Sequence, residues 1–172
     1  YFLLNGKRHF LVGTGDDFGY PTEAPPQNLS VYRARLGAMK AYGFDFVRLH
    51  SHFESKMYFD VAAELGFFIS PALPGTAWSA DCKEIALRTW KWWINELRNC
   101  PSVMDVNMKN EGYGEPPKLA PGELGGWPGA PFVYRDEFYA VAKQMRPELH
   151  VIATDGCCWS SGQRNKAAVQ ET

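Results

Sequence analysis

Short apolar runs alternate with amphipathic stretches along this chain. Phe10 to Val12, Phe44 to Leu49, Phe67 to Ile69, Val103 to Val106 and Leu149 to Ala153 are compact and apolar, as buried strands are. Between them, apolar residues recur every three or four positions. Leu36 and Met39 mark one helix, with Ser30 as its expected N-cap. Met57, Val61, Ala62 and Leu65 mark a second, closed by Gly66. Leu87, Trp90, Ile94 and Leu97 mark a third; Tyr134, Phe138, Val141 and Met145 mark a fourth, ended by Pro147. Ahead of these, the first thirteen residues read as two strands joined by an Asn5-Gly6 turn. The predicted order is a hairpin, four strand-helix units and a fifth strand.

Strands that alternate with helices imply parallel βαβ units with right-handed crossovers. Two architectures fit: an open doubly wound sheet and part of an eight-stranded (β/α) barrel. The first would often bind a nucleotide at a Gly-rich first turn. Here that turn is Gly13-Thr14-Gly15-Asp16-Asp17, without the G-x-G-x-x-G spacing and with two aspartates that would repel a pyrophosphate. The barrel is favoured. A full TIM barrel takes about 250 residues, and this chain has 172. Residues 1–172 are therefore expected to form the N-terminal part of an α/β (β/α)8 barrel, truncated after about five parallel strands and four helices. Its opening in the middle of a hairpin reads the same way. Strands 1 and 5 would keep open edges, so further domains or a partner chain are expected to complete the barrel.

Composition narrows the classes. A formal net charge of -1 gives no electrostatic footprint for nucleic acid or an acidic membrane surface. No apolar run approaches the roughly 20 residues of a membrane span. Aromatic residues make up 15% of the chain, six of them tryptophans; large rings fill cores, and they also stack on sugar faces. Cys82, Cys100, Cys157 and Cys158 lack C-x-x-C spacing, which argues against zinc. A Cys82–Cys100 disulfide and the compartment are left open.

In such barrels the catalytic groups project from the C-terminal ends of the strands. Strand 1 ends in Asp16 and Asp17, and strand 2 in Arg48, His50 and His52. Strand 3 ends blandly at Pro71-Ala72-Leu73, with Trp78 farther along. Strand 4 ends in Asn110-Glu111 and strand 5 in Asp155, with Trp159 beyond. Each has a plainer reading: a turn for the aspartates, an ion-pair partner for Arg48, a core position for either histidine. Gathered at one rim, they point to a site. The long Pro/Gly-rich loop from Gly112 to Phe132 carries Tyr113 and Trp127, as a cleft wall or a surface excursion.

The stretches "FLLNGKRHFLVG", "MKAYGFDFVRLHSHF", "YFDVAAELGFF" and "CPSVMDVNMKNE" together resemble the catalytic barrel of family 2 glycoside hydrolases. The resemblance covers about the first 110 residues well. It implies a retaining hydrolase of β-linked sugars with Glu111 as general acid/base and Asn110 bonding the sugar 2-hydroxyl. It places Arg48 near the nucleophile and His52 near the substrate. His50, Asp16, Asp17, Tyr113, Asp155 and Trp159 complete the candidate substrate contacts, with no cofactor and no metal.

The departures are equally specific. The family's nucleophile is a glutamate on strand 7, which this chain does not reach, so none is named; Glu115 and Glu123, in the loop after Glu111, are not assigned the role. Without it, the fragment alone is expected to be inactive. The loop "GTGDDFGYPTE" replaces a His-rich one, which argues against bound magnesium and galactose specificity. The acidic residue often found near the end of strand 3 is absent. Lys109 stands where a small residue is usual and either adds charge near the site or points away. Two alternatives stand beside the hydrolase: a non-catalytic carbohydrate-binding barrel and an endo-glycanase of a related barrel family.

Overall fold

Asn5 and Gly6 both adopt left-handed backbone, with φ of 52° and 77°, the pair of angles a tight two-residue hairpin needs. They join β1 (Phe2–Leu4) to β2 (Lys7–His9), with Leu4 opposite Lys7. The computed structural model describes residues 1–17, 19–20, 25–74, 83–110 and 135–153. After the hairpin come β3 (Gly13–Asp17), α1 (Leu29–Ala41), β4 (Phe46–His50), α2 (Lys56–Glu64) and β5 (Phe68–Ser70). Next are α3 (Lys83–Leu97), β6 (Asp105–Asn107), α4 (Arg135–Met145) and β7 (His150–Ile152).

Strands β3, β4 and β5 pair in parallel and in order, as do β6 and β7. The two sheets meet through bridges between Ile69 and Val103 and between Ala72 and Asn107. Three steps along the first chain thus match four along the second, so a bulge lies between Val103 and Asn107. The fold is mixed α/β with parallel strands and four helices; the described strands form small sheets and do not close into a barrel.

Several boundaries differ from expectation. The first parallel strand is Gly13–Asp17 rather than the apolar Phe10 to Val12, and Phe10 is 86% exposed. The strand opens on a glycine because a side chain at position 13 would collide with the Phe46 ring on β4. The N-cap of α1 is Asn28, not Ser30: Asn28 Oδ1 accepts from the Ser30 N–H at 2.9 Å. Gly66 closes α2 as expected, at φ 71°.

The core lies between the strands and the helices. Tyr32 and Leu36 of α1, Phe59 and Val61 of α2, and Trp90, Trp93 and Ile94 of α3 pack there with Val47, Leu49 and Ile69. Each large apolar side chain buried this way contributes about 1.5–3 kcal/mol. Trp90 also donates its indole N–H to the carbonyl of Phe138 at 2.9 Å, pinning α4 to α3. Cys100 is a buried free thiol; Cys82, its candidate disulfide partner, lies outside the described residues. Among the described residues, no helix is long and apolar enough to cross a membrane.

Candidate functional site

Side chains on a strand alternate between its faces. On β4, Val47 and Leu49 are fully buried in the core, while Phe46, Arg48 and His50 take the opposite, more open face. Register sets Gly15 and Ser70 beside Arg48 and Asp17 beside His50. The bulge gives Asp105 and Asn107 the same parity as Ser70. Ser70 Oγ donates to Asp105 Oδ1, and Asn107 Nδ2 donates to Ser70 Oγ at 3.1 Å.

Arg48 is the hub of this face. Its Nη1 donates to His50 Nδ1 at 2.9 Å, and its Nη2 donates to Asn110 Oδ1. Asp17 Oδ1 lies 3.7 Å from His50 Nδ1, on a side chain that is 84% exposed. The structure therefore brings together four of the residues singled out from sequence: Asp17, Arg48, His50 and Asn110.

Two others lie elsewhere. Asp16 has the opposite parity to Asp17 and is buried under the helices. Arg35 of α1 donates to both of its carboxylate oxygens, and the Tyr58 hydroxyl lies 3.4 Å away. Asp16 is thus a core ion-pair partner, not a rim contact. His52 is buried behind His50, because Ser51 takes a left-handed φ of 54° and turns the chain inward. His52 Nδ1 donates to the His50 carbonyl at 2.8 Å, and Nε2 lies 3.6 Å from Glu54 Oε1. Burial opposes charge on His52, but the nearby Glu54 carboxylate and the bond to the His50 carbonyl prevail, so its pKa is raised.

Sequence reasoning missed Glu54, a buried carboxylate behind the site. The signal was there: in the extended stretch after Ser51, His52 and Glu54 share one side, while Phe53 stacks 3.9 Å from Trp93 on the other. It also left Lys109 undecided. Lys109 is buried, and desolvation lowers its pKa. Glu111, Tyr113, Asp155 and Trp159 lie outside the described residues, as do Trp78 and Trp127. Among the described residues, no group of three or more His, Cys, Asp or Glu could hold a metal ion.

No known family profile matches the chain, and no curated protein matches it. Solved structures do. A β-glucuronidase of Parabacteroides merdae superposes with a TM-score of 0.70 at 22% identity, over 89% of this chain and 19% of its own. A second, β-glucuronidase 3 of Bacteroides uniformis, gives 0.68 at 22% identity, again over 89% and 19%. An exo-chitosanase of Amycolatopsis orientalis gives 0.63 at 18% identity, over 85% of this chain and 17% of its own. The likeness is one of fold. The chain spans less than one fifth of the length of these neighbours, all of which are β-glycosidases by description.

Proposed function

We propose that this chain is the first part, strands 1 to 5, of the (β/α)8 barrel of a retaining glycoside hydrolase acting on β-linked sugars, with Glu111 as its general acid/base. The observation that carries the proposal is the hydrogen bond from Arg48 to Asn110. It holds the residue before Glu111 on the open face, two strands across from β4, where the strand ends and an exposed carboxylate meet. Fold neighbours that are β-glycosidases support the same reading.

The chemistry follows from the residue types. Glu111, kept protonated, gives its proton to the leaving oxygen, while a second carboxylate attacks the anomeric carbon from about 5–5.5 Å away. That carboxylate must stay charged, which a guanidinium such as Arg48 favours. The second carboxylate belongs to polypeptide that completes the barrel, and no residue of this chain is assigned to the role. Asn110 contacts the sugar beside the cleaved bond.

The test is turnover of aryl β-glycosides by the protein expressed from its complete gene. Glu111→Gln is expected to lower kcat by about 10²–10⁴-fold on substrates with poor leaving groups. The loss should be much smaller where the leaving group needs no proton. Unchanged turnover on both would remove Glu111 from the mechanism. Sugar binding without hydrolysis by the unaltered protein would favour the carbohydrate-binding reading instead.

A further inference from the structure

A cavity of about 380 Å³ lies between α2 and α3, on the helix side of the sheet. Its size suits a small ligand. Phe53, Phe59 and Trp93 line it, with the rings of Phe53 and Trp93 only 3.9 Å apart. Trp92 lines it too, with its ring 6.2 Å from that of Phe53, yet Trp92 is 54% exposed. An indole half in water beside packed rings is a surface open to stacking.

The polar lining carries both signs of charge. Glu96 follows Trp92 by one turn of α3, on the same face, and its carboxylate accepts no hydrogen bond from a described residue. Lys56, at the start of α2, supplies an ammonium with three N–H groups. Asp60 takes two of these at most, at 2.6 and 2.8 Å. Trp93 adds a buried indole N–H that has no acceptor among the described residues. The cavity thus offers an acceptor, donors and an exposed aromatic face.

We propose that this cavity is a carbohydrate-binding site, which takes a neutral sugar ring with its apolar face against Trp92. Charge selects the ligand. An organic cation would gain from the indole and Glu96 but would meet Lys56; an anion would meet Glu96 and Asp60. A hydroxyl donates to a carboxylate and accepts from an ammonium or an indole N–H, so it serves every open group here. The C–H face of a sugar ring then covers the indole. The site goes beyond the glycosidase reading and needs neither Glu111 nor hydrolysis.

The experiment uses the protein expressed from its complete gene, isotope-labelled at tryptophan for NMR. The Trp92 indole signal is identified by its loss in Trp92→Phe. It is followed during titration with methyl β-glycosides of glucose, galactose, mannose, xylose and N-acetylglucosamine. At least one is expected to move it saturably at millimolar concentration, while tetramethylammonium and acetate leave it in place. Glu96→Ala should weaken that binding about tenfold, the loss of one hydrogen bond to a charged group. Glu96 is exposed, so this variant keeps the fold, and a response relayed from the catalytic mouth would be blind to it. Trp92→Ala should leave turnover of p-nitrophenyl β-glycosides unchanged. A Trp92 signal that no sugar moves overturns the proposal, including one silent because other polypeptide covers the cavity. So does a signal moved by the charged probes instead, or a sugar response that Glu96→Ala leaves intact. Absence of turnover with the Trp92 response present would count against the glycosidase reading alone.

Discussion

Asp16 and Asp17 are chemically identical neighbours whose surroundings have almost nothing in common. Strand parity sends one beneath the helices, where Arg35 grips both carboxylate oxygens, and leaves the other in water. Removing one member of a buried ion pair strands the other charge, so Asp16→Ala is expected to cost about 3 kcal/mol. The figure is at the low end because the Arg35 side chain is 28% exposed. Urea unfolding of the variant against the unaltered chain checks it. His52 makes a pH-dependent contribution. Its pKa is raised in the fold, so its stabilisation is complete below the unfolded value of about 6.5 and fades as pH rises through the folded one. The gap in urea midpoint between the unaltered chain and Glu54→Gln should therefore be widest near pH 6 and narrow toward pH 9. A gap that widened instead would mean that His52 is not charged by Glu54. At this scale the sequence was only half legible: it placed polar residues at strand ends but not on faces, because a one-residue shift in parity exchanges rim for core.

At the scale of elements, helices were easier to read than strands. The spacing of Trp90, Ile94 and Leu97 marks the buried stripe of α3 directly, and all three are in the core. The strands are short, and pairing partners rather than composition set their ends. Thus Phe10 stays out of the ladder and Val12 only flanks it, its carbonyl accepting from the Asp45 and Phe46 N–H groups, while glycine-rich Gly13 to Asp17 forms the strand. The need for glycine at position 13 is set by Phe46, thirty-three residues away, which no local pattern reveals. The join between α3 and α4 is similarly long-range, and it gives an element-scale prediction. Trp90→Phe removes the indole bond to the Phe138 carbonyl and leaves a small void, for an expected loss of about 2 kcal/mol. Hydrogen exchange should show amides of α4 losing protection before those of α1, and uniform loss would count against a local link.

For the molecule as a whole, the alternation of strands and helices gave the order of elements correctly, from hairpin to β7. What it could not give was the way the sheet is stitched between β5 and β6, where the register slips by one residue. That slip decides which chemistry faces the opening. A regular strand would give Val103 and Asn107 the same face; with the bulge, Val103 is matched to Ile69 on the core side and Asn107 to Ala72 on the other. The constraint on this segment is therefore one of length more than of composition. Exchanging one side chain for another of similar size leaves the faces as they are. Losing or gaining a single residue there swaps Asp105 and Asn107 with their neighbours and carries Asn110 away from Arg48. In this stretch, comparison with any relative has to be made by counting residues between the two bridges before asking whether the letters agree.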